Sequence, residues 1–200
     1  MSRRLNRLAV ALLVSLAVIP LVAATVSREG AEEFDQKVAL IRRQADLATG
    51  AGARRTRLTQ DELNSWLMYR GDALLPTGVG QAQISMTGDG RLAGKAVVDL
   101  DAVVKRRPTG GALDPFSFIG GKVPVSIMGI LHTGDGMGRF EVQTAEMSGI
   151  PIPVAILQEL MTSYSRTPVK PQGIRLDDAF PLPANVLQLE IAEGQAVVVQ

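Results

Sequence analysis

Residues 83–94 read QISMTGDGRLAG and residues 123–142 read VPVSIMGILHTGDGMGRFEV, and the main sheet is predicted from these two stretches. In each, apolar and polar residues alternate on both sides of the same turn sequence, Thr-Gly-Asp-Gly. Alternation with a period of two places one face of a strand against a core. Gly and Asp tolerate the positive φ angles that a tight hairpin turn needs. The sequence therefore predicts two antiparallel hairpins, whose shared turn reflects either an old duplication or only the same turn chemistry.

Helical patterns precede the hairpins. A helix is predicted over Glu29–Thr49, and its apolar residues recur at spacings of four and three: Phe34, Val38, Ile41, Ala45 and Ala48. The stripe Phe34–Ala48 either packs on its own domain or forms a seam with an envelope partner or a second copy. After a short strand at 54–58, Thr59 and Glu62 form a capping-box signature that begins a second helix. That helix presents Trp66 to an apolar neighbour.

A third helix is predicted after the hairpins. Pro151 and Pro153 precede it, and prolines are tolerated in a first helical turn. Its broad apolar face carries Leu157, Leu160 and Met161. A strand at 174–177 and a terminal hairpin at 187–199 follow. The predicted fold class is therefore α+β, with a curved antiparallel sheet of hairpins packed with two or three amphipathic helices.

The first residues carry a targeting signal. Arg3, Arg4 and Arg7 precede an apolar run from Leu8 to Val26. Its length lies between that of a removable signal core and that of a membrane span. Retention predicts a single-pass anchor with the C-terminal domain outside the cytoplasm, whereas cleavage near Ala24 predicts a periplasmic or secreted protein. The expected division is residues 1–26 as signal or anchor, 27–52 as a stalk or packing helix, and 53–200 as one α+β domain.

Composition excludes several classes of function. The chain has 21 basic and 20 acidic residues, so it carries no basic footprint for nucleic acid. It contains no cysteine and one histidine, which leaves no thiolate or histidine-rich metal site. No G-x-S-x-G, H-E-x-x-H or P-loop pattern is present. We therefore expect no enzyme, with no catalytic residue, metal or cofactor.

Many apolar residues lie on amphipathic helices and strands. They suit a groove for an acyl chain, because methionine fills irregular gaps and such binding needs few polar groups. The groove candidates from the sheet, the helices and the loop at 108–121 are Trp66, Met86, Phe116, Phe118, Ile127, Leu157, Leu160 and Met161. In that loop the aromatic residues either fold back onto the sheet or dip into an anionic membrane surface. The predicted function is non-enzymatic lipid binding in the cell envelope. An envelope scaffold that interacts through the Phe34–Ala48 stripe is the alternative.

Two motifs carry a resemblance to known families. Residues 58–67 read LTQDELNSWL and residues 149–153 read GIPIP. With the order of the other elements, they resemble the YpmS-like and LmeA-like envelope families. That resemblance implies a fold related to the tubular lipid-binding proteins, with a half-barrel around a lipid groove. It also implies that Trp66, Leu67, Leu157 and Met161 line the groove.

Overall fold

A computed structural model describes residues 26–46, 52–104, 121–166 and 171–200. The predicted α+β class is confirmed, because helices accompany an open, largely antiparallel sheet. The helices within these ranges are α1 (Arg28–Ala45), α2 (Gln60–Arg70), α3 (Leu100–Val104) and α4 (Val154–Ser165), with a 3₁₀ turn at Gly71–Ala73. The strands are β1 (Arg55–Thr59), β2 (Val79–Gly88), β3 (Arg91–Asp99), β4 (Lys122–Gly134), β5 (Met137–Met147), β6 (Ile150–Pro151), β7 (Phe180–Pro181), β8 (Gln188–Ala192) and β9 (Gln195–Val199).

The two predicted hairpins form most of the larger sheet. Its strand order is β2-β3-β4-β5-β6, and β7 also pairs with β5. Asp89 and Asp135, at the centres of the two turns, have φ angles of 50° and 51°, and the glycine after each is also positive. Two consecutive positive φ angles match the twist of a two-residue hairpin. The repeated Asp-Gly therefore has a conformational cause in both turns.

A smaller sheet, with the order β1-β9-β8, lies across these turns. The Gly136 amide donates to the Leu187 carbonyl at 3.0 Å, and the Gly194 amide donates to the Met86 carbonyl at 2.9 Å. The Thr133 hydroxyl bonds both backbone groups of Leu189, at 2.9 and 3.0 Å. Both hairpins are thus attached at their turn ends to the same small sheet.

Helix α1 packs on its own domain. Its buried residue Ile41 joins Val186 and Val198 in the core beside the small sheet. Phe34 lies against Trp66 of α2, with ring centroids 5.6 Å apart. These contacts support the first interpretation of the stripe, packing within the domain. The predicted extension of the helix to Thr49 lies outside the described residues.

Local side-chain capping ends one predicted strand at Asp99, earlier than expected, and replaces another predicted strand with a turn. The alternation at 92–104 predicts a strand to Val104, but the Asp99 carboxylate accepts from the Ala102 amide at 3.1 Å and begins α3. The strand predicted at 174–177 is a turn, in which the Asp178 carboxylate accepts from the Arg175 amide at 2.9 Å. In both places an aspartate takes backbone donors away from a strand.

The predicted signal or anchor lies outside the described residues, apart from Val26 at its end. Within the described ranges, none of the helices is both long enough and apolar enough to cross a membrane.

Candidate ligand groove

The β2 edge of the larger sheet is closed by side chains of α2. The Asn64 amide donates to the Ile84 carbonyl and its oxygen accepts from the Ile84 amide, both at 2.8 Å. The Gln60 side-chain oxygen accepts from the Met86 amide at 2.7 Å. These amides occupy positions that a neighbouring strand would take, so both backbone groups of Ile84 and the Met86 amide are satisfied at this edge.

The β5 edge is paired only at its ends. β6 pairs with Glu146 and Met147, and β7 pairs with Met137 and Gly138. Between these short strands, residues 139–144 of β5 have no outer strand partner among the described residues. A groove opens beside this part of the sheet.

The groove has a volume of about 510 Å³. Its floor is formed by β4 and β5, one wall by α4, and the other wall by the segment that leads into β7. A neighbouring hollow of about 350 Å³ shares four lining residues with it. Pockets of 300–1,000 Å³ are typical of small-molecule sites. The apolar residues that line the groove include Ile127, Phe140, Val142, Leu157, Met161 and Phe180.

Two glycines let aromatic rings lie directly on the strands. A Cβ at Gly129 would overlap the Glu141 carbonyl oxygen and lie 2.7 Å from Cζ of Phe140, and a Cβ at Gly138 would lie 2.8 Å from the ring of Phe180. Any larger residue at either position would push the ring away from the strand. The glycines therefore keep both rings low against the sheet and leave room above them.

The rim of the groove is apolar and accessible. Val154, Met161, Ile174 and Phe180 are all exposed, although each is a large hydrophobic residue. Single exposed residues of this kind are normal, but several around one hollow are typical of a binding surface. The groove thus offers apolar contact both inside and at its mouth.

Charged groups lie at one end of the mouth. The Arg175 guanidinium donates twice to the Asp177 carboxylate, at 3.1 Å each. These hydrogen bonds lower the pKa of Asp177 and raise that of Arg175. Nearby, the Gln158 side-chain oxygen accepts from the Leu176 amide at 2.8 Å and so ties this segment to α4. The mouth therefore combines a long apolar rim with one polar end.

The structure brings three predicted residues to the groove, Ile127, Leu157 and Met161. Phe116, Phe118 and the side chain of Leu160 lie outside what the structure describes. Phe140 and Val142, which sequence reasoning missed, continue the alternation of the second hairpin. Phe180 was missed because residues 180–183 read FPLP, which is typical of a rigid turn.

The other predicted groove residues lie at the opposite edge of the sheet. Trp66 packs on Phe34, and its indole nitrogen donates to Asp35 at 2.7 Å. Leu67 lies in the same helix, beside Gly71. Met86 is buried in β2, where its amide bonds Gln60. Because α2 seals the β2 edge, these three apolar side chains stabilise the fold and do not line this groove.

Among the described residues, no group of three or more His, Asp or Glu side chains is placed to hold a metal ion. Comparisons with protein-family models, curated proteins and solved structures return no match for this chain. The resemblance to the YpmS-like and LmeA-like families therefore stays a prediction.

Proposed function

We propose that this protein is a non-enzymatic lipid-binding module of the cell envelope that takes an acyl chain into the groove between β5 and α4. One observation carries the proposal, an open apolar groove of about 510 Å³ whose floor and rim are formed by aliphatic and aromatic side chains. Residues 8–26 anchor the module to the membrane or direct its export. The proposal involves no reaction and no cofactor.

Burial energetics favour an acyl chain as the ligand. Each buried methylene contributes about 0.8 kcal/mol, so a chain with about ten methylenes in the groove gains about 8 kcal/mol before the cost of immobilisation. Met161 adapts to a flexible ligand because its unbranched side chain has several rotatable bonds. The polar end at Arg175 leaves the head group of the lipid in water beside charged side chains.

Native mass spectrometry of the purified full chain tests the proposal. We expect a co-purifying mass in the range of a lipid, together with uptake of a fluorescent fatty acid. Leu157→Trp fills the groove and should abolish both signals. The control is Ile156→Trp, because Ile156 is the exposed neighbour on the same helix and is not among the groove-lining residues.

Two results would contradict the proposal. One is a clean protein mass without fatty-acid uptake. The other is equal uptake by the Leu157→Trp and Ile156→Trp variants when circular dichroism shows both folded. Separating membrane from soluble envelope fractions then distinguishes an anchored module from an exported carrier cleaved near Ala24.

A further inference from the structure

One end of the domain carries exposed apolar side chains that the groove does not use. Leu74 is 74% exposed, Ile150 69%, Met68 62% and Tyr69 44%. Met68 and Tyr69 lie in the last turn of α2, Leu74 follows the 3₁₀ turn, and Ile150 begins β6. Exposure of this extent in four large side chains has no role in the packing of the domain.

The strand register places the segments that carry Leu74 and Ile150 at the same end of the larger sheet. The bonds of Gln60 to Met86 and of Asn64 to Ile84 show that α2 runs toward this end, so Met68 and Tyr69 lie there too. Val79 at the start of β2 pairs with Val98, and Val98 pairs with Val123 at the start of β4. The Ser148 amide, just after β5, donates to the Pro124 carbonyl at 2.8 Å. The start of β2 and the end of β5 are therefore level, and both hairpin turns lie at the opposite end.

The chain also enters the domain at this end. Cζ of Arg28, the first residue of α1, lies 5.6 Å from the centroid of the Tyr69 ring. The Ser27 amide donates to the buried hydroxyl of Ser65 at 3.1 Å. In the sequence, the apolar run Leu8–Val26 directly precedes these residues. A membrane anchor in that run therefore joins the domain beside the exposed apolar side chains.

We propose that this end of the domain docks on the surface of a lipid bilayer. Leu74, Met68 and Ile150 enter the boundary between head groups and acyl chains, and Tyr69 lies at the level of the head groups. The described residues next to these side chains and to the ends of the strands carry charges of both signs, with Arg28, Arg70 and Lys122 against Glu29, Asp72 and Asp101. Insertion of apolar side chains, rather than attraction to anionic lipid, therefore provides the binding energy, and a zwitterionic bilayer is sufficient.

The absence of cysteine allows the orientation to be measured on the full chain. Leu74→Cys and Ile150→Cys carry a polarity-sensitive fluorophore at the docking end. Gln188→Cys is the matched control, since Gln188 is exposed on β8, across the hairpin turns. Each labelled protein is reconstituted into phosphatidylcholine vesicles, with and without lipid brominated in the upper acyl chain.

We expect a blue shift at positions 74 and 150 and quenching several-fold stronger than at position 188. Met68→Asp, combined with Ile150→Cys, should reduce that quenching several-fold, because a charge resists insertion. Leu157→Trp should leave it unchanged, so failure of the lipid-groove proposal and failure of this one are distinguishable.

Equal quenching at all three positions would overturn the proposal, because the domain would then move freely on its tether. Stronger quenching at position 188 would overturn it as well. A third result would also overturn it: labels at 74 and 150 that are shielded from water but unaffected by brominated lipid. If the unlabelled cysteines at these positions also cross-link between copies, this end binds a second copy instead.

Discussion

The two edges of the larger sheet differ in how the backbone of the edge strand is covered. At the β2 edge, amide side chains of Gln60 and Asn64 bond the strand backbone, and a helix seals the apolar residues beside them. At the β5 edge, two short strands pair only with its ends, and an apolar groove opens between them. Both edges have a helix nearby, but only α2 supplies polar groups that saturate the strand.

Whether an amphipathic helix makes a core or a groove depends here on the polar side chains that it presents to the strand edge. α2 carries two side-chain amides four positions apart, Gln60 and Asn64, that bond β2, so it can lie close to the strand. The groove-lining residues of α4 are mainly apolar, and its Gln158 bonds the Leu176 amide instead of β5. The helix therefore stands off from the strand edge, and the space between them is left for a ligand.

Loss of the side-chain hydrogen bonds that cover the β2 edge should lower the free energy of unfolding more than any other change described below. Asn64→Ala removes two hydrogen bonds and leaves both backbone groups of Ile84 without their partner. We expect the free energy of unfolding to fall by about 2 kcal/mol. Urea denaturation of the purified full chain measures it. Met68→Ala, on the exposed side of the same helix, is the control, and an equal loss in both variants would contradict the role of Asn64.

The next effect concerns the open edge and its ligand. If acyl chains bind in the groove, the dissociation constant of saturated fatty acids should fall by about tenfold for each two added methylenes. The gain should end once the chain is longer than the groove. Displacement of a fluorescent fatty acid gives these constants. An affinity that does not depend on chain length would show that the apolar floor does not hold the chain.

A smaller effect is expected where α4 holds the wall of the groove. Gln158→Ala removes the hydrogen bond to the Leu176 amide and should lower the free energy of unfolding by about 1 kcal/mol. Hydrogen exchange at that amide should become faster. Glu159→Ala changes the exposed neighbouring residue and should leave exchange at Leu176 as it is. Equal exchange in both variants would show that Gln158 does not hold the wall.

The smallest effect is electrostatic. Hydrogen bonds from Arg175 lower the pKa of the Asp177 carboxyl. The pair therefore contributes fully above the ordinary carboxyl pKa, and its contribution is lost as the pH falls through the lowered value. Arg175→Gln should raise the pKa of Asp177, which carboxyl NMR titration measures. Arg139→Gln removes only a weaker charge interaction and should raise it less; the reverse order would contradict this assignment.

The sequence predicts the hairpins well because their cause is local. Asp89 and Asp135 must take positive φ angles whatever the rest of the chain does, and alternation fixes the face of each strand. The capping box at Thr59 and Glu62 is likewise confirmed, because its partners are three residues apart. The wrong strand at 174–177 arose where a local turn competed with an apolar pattern.

The position of the groove could not be read from the same patterns. Trp66 and Leu157 are similar signals in sequence, since both are large apolar residues on helices. Their different roles depend on whether the helix bonds the strand edge, and that contact joins residues distant in the chain. Asn64 and Gln60 distinguish the two edges, and their partners Ile84 and Met86 lie 20 and 26 positions away.

The pairing of β1 with β9 has a consequence for the order of folding. Arg55 forms an ion pair with Glu190, 135 positions later, and the Gln200 side chain bonds the Ile41 carbonyl across 159 positions. During synthesis, α1 and β1 emerge from the ribosome early, yet the strands that complete their sheet emerge late. Because such distant pairings form slowly, the apolar surface of α1 and β1 stays exposed to solvent until their partner strands are in place. The small sheet can therefore be completed only after the last residues of β9 have been made.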